Sequence, residues 1–233
     1  IHGFAQDVYP SRPFVFARPE AVTAGSAILP GEDSPAERAF PGDSPFSPRM
    51  LAAALALALG YAGGVYLGFA LTFDVKPVST LWPPNAILLA ALLLTRSSAW
   101  WLLIVAVLPA HVLAELSLGV PPAMAGSWFV SNTVEALLGA TLIRRYLGGA
   151  PRLDRMRDVS AFVLVAGALS PVLTSFLDVA FVATVGWRYS DFWQIWSTRT
   201  LSNALAALTV TPILIIGIRR GMQLLRPQSA AER

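Results

Sequence analysis

Long apolar runs follow one another from about residue 50 almost to the end of the chain. Hydrophobic residues make up 55% of the 233 residues and charged residues only 13%, about half the charged share of a soluble domain. A soluble core in a chain of this length could not bury so much apolar surface. The sequence therefore predicts an all-α, polytopic membrane helix bundle with the lipid bilayer as its main partner.

Six apolar segments are separated by short polar or charged stretches. They cover about residues 50–73, 81–95, 99–118, 123–143, 159–185 and 192–218. Each except the second reaches the roughly 20 residues that a helix needs to cross the hydrocarbon. The second contains Pro83 and Pro84, so we expect it to be tilted, bent at this pair or preceded by a re-entrant turn. This pattern predicts about six transmembrane helices.

Arginine is concentrated before the first segment, in alternate gaps, and after the last segment. These positions are Arg49, Arg96, Arg144, Arg145, Arg152, Arg155, Arg157, Arg219, Arg220 and Arg226. The other gaps carry only Lys76 with Asp74, no charge, and Arg188 with Asp191. Because basic loops stay in the cytoplasm, an even number of spans places both termini there. The arginines lie between apolar runs and form no stripe, which argues against nucleic-acid binding.

Other functional classes lack their signals. Cysteine is absent, and two histidines alone cannot build a zinc site, so we expect no metal and no cofactor. No catalytic triad, phosphate-binding glycine loop or metalloprotease motif occurs, which indicates that this chain is not an enzyme. Residues 1–48 are rich in Pro, Ser and Ala and have no helical or strand period, and this composition predicts a disordered cytoplasmic arm.

Tryptophans lie near the predicted ends of the spans. Trp82, Trp128, Trp187 and Trp193 fall near outer ends, and Trp100 and Trp101 near an inner end. Such positions are typical of the aromatic belt at the membrane–water interfaces. We therefore expect these side chains to be interface anchors.

Ionisable and amide side chains interrupt the apolar segments, where they are expensive to place and so mark a functional site. His111 and Glu115 are four residues apart on one predicted helix face, and Asn132 and Glu135 are three apart. We predict an outward-facing polar cavity with the second segment's start at its mouth. The candidate residues for ligand binding or signalling are Trp82, Pro83, Pro84, Asn85, His111, Glu115, Asn132, Glu135, Asp178, Arg199 and Asn203.

Three carboxylates among these candidates face one permanent cation, Arg199. We expect Arg199 to pair with Asp178 or Glu135, because an unpaired charge in lipid is costly. A remaining carboxylate is then protonated or paired with a bound cation or amine. Glu115 lies close enough to the outer surface that we expect it to be solvated. The alternative is that all these groups only hold the helices together through interhelical hydrogen bonds.

Several ordered motifs resemble the bacterial membrane-associated sensor domain, MASE type one. They are Leu81-Trp82-Pro83-Pro84-Asn85-Ala86, Trp128 to Asn132 with Glu135 to Ala140, the basic loop from Arg144 to Asp158, and Trp196 to Arg199 with Ser202 to Leu205 and Thr211-Pro212. The resemblance covers roughly residues 50–220. Many members have Gly shortly after Trp-Pro-Pro, where this chain has Asn85-Ala86, and the family is often described with eight helices.

The resemblance implies a sensory input domain of the bacterial inner membrane at residues 49–220, followed by a cytoplasmic linker at 221–233. It implies a full-length protein that is a histidine kinase, or in second place a diguanylate cyclase, and that acts as a homodimer on a cognate response regulator. Asn132, Glu135, Arg199 and Asn203 are characteristic positions. The stimulus is an unknown small ligand or a membrane property.

A six-helix small-solute carrier or substrate-binding transporter subunit is the alternative, because midplane polar groups and inside termini suit it equally well. No inverted repeat is visible, which weakens the case for a self-contained carrier. A membrane-embedded enzyme is a third class, and the sequence carries no motif for it.

Overall fold

A computed structural model describes residues 46–73, 76–187 and 191–224, and most of these residues are helical. The helices are α1 (Pro48–Ala70), α2 (Pro83–Leu94), α3 (Trp100–Ser117), α4 (Pro122–Leu147), α5 (Met156–Leu164), α6 (Ser170–Val185) and α7 (Phe192–Leu224). A 3₁₀ turn at Ser97–Ala99 leads into α3, and a π-helical segment at Val165–Leu169 joins α5 to α6. The predicted arm up to residue 45 and the predicted linker from residue 225 lie outside the described residues.

Each of the six predicted apolar segments is helical, with α5, the π-helical segment and α6 together forming the fifth. Within the described ranges, four helices are long and apolar enough to cross a membrane. They are Pro48–Ala70, Ser97–Ser117, Met156–Val185 and Phe192–Met222. Helix α2 has only 12 residues, and α4 has 26 but carries several polar side chains. Six crossing helices therefore stay a prediction.

A short hairpin connects α1 to α2 and is absent from the sequence prediction. Strand β1 (Thr72–Phe73) pairs antiparallel with β2 (Lys76–Ser79). Strands this short leave no periodic signal beside a long apolar run. Pro83 and Pro84 occupy the first turn of α2 and so begin this helix instead of bending it.

Helix α2 is the most enclosed element of the bundle. Ten of its twelve residues are buried, and it packs against α1, α3, α4 and α7. Apart from Asn85, its sequence is apolar all round, which is the pattern of a helix surrounded by other helices. The shortest of the six predicted segments is therefore the central one.

Both ends of α2 meet the hydrogen-bonding requirements of a buried helix. The first-turn prolines have no N–H that would need an acceptor. At the other end, Trp100 Nε1 donates to the carbonyl oxygen of Leu92 at 2.9 Å. Arg144 Nη1 donates to the carbonyl oxygens of Leu92 and Thr95. Side chains from α3 and α4 thus satisfy carbonyl groups that α2 itself cannot pair.

Contacts between helix termini define two ends of the bundle. The Trp82 end holds the ring pairs Phe69–Trp82 and Trp128–Trp187, with centroids 5.8 and 5.4 Å apart. The Arg144 end holds the cap of α2, the Phe46–Trp101 ring contact, and the bond from Arg219 Nη1 to the Pro151 carbonyl oxygen at 2.9 Å. The helix termini beside the arginine-rich gaps all lie at the Arg144 end.

Close packing of α1 against the start of α2 requires a glycine at position 68. A Cβ atom there would lie 2.7 Å from the indole Cε3 of Trp82, whereas one at Gly60 on the same helix would meet nothing within 4 Å. We expect Gly68→Ala to lower the free energy of unfolding by about 1–3 kcal/mol through overpacking. Gly60→Ala is the matched control and should leave stability unchanged or slightly raised. Thermal unfolding in detergent measures both, and equal stabilities would contradict this packing.

Candidate functional site

Buried polar side chains from six helices lie in the interior of the apolar bundle. We call this set the polar network. Its members, apart from the partly exposed Arg199, are at most 5% exposed. They are Tyr61, Asn85, His111, Glu115, Ser131, Asn132, Glu135, Thr174, Asp178, Arg199 and Asn203. The predicted candidates in α2, α3, α4, α6 and α7 are thus brought into one bundle interior.

One part of the network is a directed chain of hydrogen bonds centred on His111. Its Nε2 lies 3.0 Å from the carbonyl oxygen of Ala125 and 3.4 Å from Glu115 Oε2. Both partners are acceptors, so we assign the proton to Nε2. In the neutral ring Nδ1 then accepts from the Tyr61 hydroxyl at 3.3 Å, and Asn132 Nδ2 donates to that hydroxyl oxygen at 3.4 Å. The chain connects α1, α3 and α4.

A second part of the network connects α4, α6 and α7 through two carboxyl groups. Glu135 Oε2 accepts from Thr174 Oγ1 and from Asn203 Nδ2, each at 2.7 Å. The Ser131 hydroxyl donates to Asp178 Oδ1. Asn85 of α2 lies beside Glu135, but its amide does not reach hydrogen-bond geometry. The carboxyl groups of both Glu135 and Asp178 therefore accept hydrogen bonds from neutral donors.

Arg199 does not form the ion pair that the sequence predicts. Among the described residues it has no carboxylate oxygen within 4.0 Å. Its guanidinium carbon instead lies 4.3 Å from the ring centroid of Trp128 and 5.8 Å from that of Trp82. A planar, weakly hydrated guanidinium stacks well on indole faces. The predicted pairing with Asp178 or Glu135 is wrong because neutral donors already occupy these two acids.

The interface-anchor interpretation is wrong for two tryptophans. Trp82 and Trp128 are only 3% and 7% exposed, because they pack in the bundle against Arg199 and neighbouring rings. Trp193 and Trp101 are 63% and 48% exposed, as an interfacial position requires. Residue type and position along a span do not distinguish these two environments.

Glu115 is fully buried, so its predicted solvation is also wrong. The turn after α3 folds back through a bond of 3.1 Å from the N–H of Val120 to the Glu115 carbonyl oxygen, and Val120 is itself buried. Neither carboxyl oxygen of Glu115 has a hydrogen-bond donor among the described residues. Its nearest polar partner is His111, one turn earlier on the same helix.

Tyr61 and Ser131 are not among the residues predicted from the sequence, although both belong to the network. Tyr61 has a signal that could have found it, because a tyrosine in the middle of an apolar run needs a partner for its hydroxyl. Ser131 has no such signal, since small hydroxyl residues are common in membrane helices. In the described part of the chain, no three His, Asp or Glu side chains are grouped so that they could hold a metal ion.

Apolar helices that enclose a shared polar interior are typical of a membrane domain, because ionisable groups within a span face the bundle interior. The MASE1 family model matches residues 51–233. The chain therefore belongs to the MASE1 family of membrane-associated sensor domains, which are found in histidine kinases and diguanylate cyclases. The family is sensory and not catalytic. No curated protein and no solved structure matches the chain.

The bond between Thr174 and Glu135 is tested by an isosteric change. We expect Thr174→Val to lower the free energy of unfolding by about 1–2 kcal/mol, because the Glu135 carboxyl loses a buried interhelical donor. Thr184→Val is the matched control, since that exposed hydroxyl bonds only to carbonyls of its own helix. Thermal unfolding followed by circular dichroism reports both variants. Equal effects of the two changes would contradict an interhelical role for Thr174.

Proposed function

We propose that the chain is the sensory input domain of a bacterial signalling protein, in the first place a two-component histidine kinase. A small ligand or a membrane property acts on the polar network, and the network biases the packing of α7. An output module after α7 then reads the position of this helix. The full-length protein acts as a homodimer, and its kinase module acts on a response regulator. A diguanylate cyclase is the second candidate for the output module.

The continuity of α7 is the observation that carries this proposal. The helix has 33 residues, with Asn203 bonded to Glu135 in the network and Arg219 bonded to Pro151 at the Arg144 end. The two residues are sixteen positions apart, or roughly 24 Å along a helix. A stimulus transmits a signal only if it favours one of two packings of this helix. In one packing Asn203 donates to Glu135, and in the other it bonds to a different partner.

The proposed topology has six crossing helices, with the Arg144 end and both termini in the cytoplasm of the inner membrane. The basic gaps meet at this end, as the positive-inside rule requires. The Trp82 end, with Arg199 and the start of α2, then faces outward. The connections at that end are short, so the stimulus is a small solute, a lipid or a membrane property rather than a large protein.

Single cysteines test this topology without interference, because the chain has no native cysteine. Leu118 lies in the α3–α4 turn at the Trp82 end and is 38% exposed, and Met156 begins α5 at the Arg144 end and is 80% exposed. We expect an impermeant maleimide to label Leu118→Cys in spheroplasts, and Met156→Cys only after permeabilisation. The reverse pattern would overturn the proposed orientation.

Removal of the hydrogen bond between Asn203 and Glu135 tests the sensory role. We expect Asn203→Ala in the full-length protein to change basal autophosphorylation or cyclic-di-GMP synthesis by about fivefold or more, as is typical of coupling between sites. Thr209→Ala is the control on the same helix, because that exposed hydroxyl bonds only to the Leu205 carbonyl. Unchanged output from a properly inserted Asn203→Ala protein would contradict the proposal. Solute uptake by vesicles holding the chain would favour the carrier.

A further inference from the structure

The guanidinium group of Arg199 is fixed in place while its hydrogen-bond donors stay free. The Trp128 ring lies 4.3 Å and the Trp82 ring 5.8 Å from its central carbon. Among the described residues, no acceptor forms a hydrogen bond or ion pair with its nitrogen atoms. The residue is partly exposed, in contrast to the two buried tryptophans that hold it. A planar cation positioned by stacking is thus available to an outside partner.

The two tryptophans add further donors beside this cation. The Nε1–H groups of Trp82 and Trp128 are buried and have no acceptor in the part of the chain that the structure describes. A buried donor without an acceptor is unfavourable, so a partner that supplied oxygen acceptors would stabilise this region. The surroundings of Arg199 are therefore rich in donors. A guanidinium fork matches the two oxygens of a carboxylate or phosphate.

The neighbouring acids limit the charge that such a partner can carry. Arg199 lies close enough to Asp178 and Glu115 to act electrostatically on both carboxyl groups, but it contacts neither of them. Asp178 is served by Ser131, and Glu115 lies against His111. Ionised carboxyl groups repel any anion, and the repulsion grows with the charge of the anion, whereas the one guanidinium balances a single negative charge. The arrangement thus favours a monoanion with two oxygen acceptors over a polyanion.

We propose that Arg199, Trp82 and Trp128 form a binding site for a singly charged oxyanion at the Trp82 end of the bundle. The partner is a small soluble carboxylate or the phosphodiester of a lipid headgroup. The inference relies on the proposed sensory function for its biological purpose. Its binding test does not involve signalling, so failure of the binding test and failure of the sensory proposal are separate results.

Fluorescence titration of the purified chain in phosphate-free maltoside detergent tests the site. The probes are sodium acetate at constant ionic strength, with chloride as the reference anion, and phosphatidylglycerol in mixed micelles. We expect a saturable change in tryptophan emission with at least one probe, and about tenfold weaker binding in Arg199→Lys, which keeps the charge but loses the fork. Arg220→Lys is the matched control on the same helix and should bind as the unchanged protein does.

The two probes distinguish the sources of the ligand. A response to acetate that depends on Arg199 assigns the site to soluble carboxylates, and one to phosphatidylglycerol alone assigns it to lipid headgroups. No saturable response to either probe, or equal responses in the unchanged protein and Arg199→Lys, overturns the proposal.

A measurement on the unchanged protein covers the case in which Arg199→Lys does not fold. Phenylglyoxal modifies accessible arginines, and mass spectrometry reads the extent at each position. We expect the effective probe to slow modification of Arg199 severalfold while Arg220 is modified at the same rate. Equal protection of both arginines, or of neither, contradicts a site at Arg199.

Discussion

The hydrogen-bonding requirement of one short buried helix governs the arrangement of this domain. Both ends of helix α2 are buried in the bundle, so every backbone group there needs a partner from the protein or must be absent. Pro83 and Pro84 remove two N–H groups at the start, and Trp100 and Arg144 supply donors at the end. These contacts fix how α3 and α4 approach α2. An arginine that the sequence presents only as part of a basic loop is therefore a cap for the central helix.

The position of α2 determines the geometry of the polar network. Its first turn sets Trp82 and Asn85 at the level of α4 and α7, where Arg199 and Glu135 lie. Helix α1 can approach this turn because Gly64 and Gly68 have no side chain to meet Ile87 and Trp82. The Thr211 hydroxyl of α7 donates to the Ala86 carbonyl oxygen at 3.0 Å and joins α7 to the same turn. The central helix thus links the packing of α1 to that of α7.

The sequence predicts those parts of this fold that depend on local composition. The apolar runs predict all six helical segments, and most of the predicted boundaries lie within a few residues of the observed ones. They do so because a helix buried in lipid needs an apolar run of sufficient length. The spacing of His111 and Glu115 places them on one helix face, and they do lie 3.4 Å apart. What the sequence does not reveal are the choices between competing partners. Arg199 could meet Asp178, Glu135 or an indole ring, and only the packing of α4 and α7 against α6 decides among them.

The choice of partners for the carboxyl groups explains why one cation remains available. Glu135 and Asp178 are bonded to hydroxyl and amide groups of Ser131, Thr174 and Asn203, which can rearrange without separating two charges. Breaking a buried ion pair would leave an uncompensated charge and would oppose any change in helix packing. Neutral donors keep that cost small, so α4, α6 and α7 can shift relative to one another. Because these helices do not depend on an ion pair with Arg199, that residue is available to the proposed oxyanion while the hydrogen bonds to Glu135 and Asp178 stay in place.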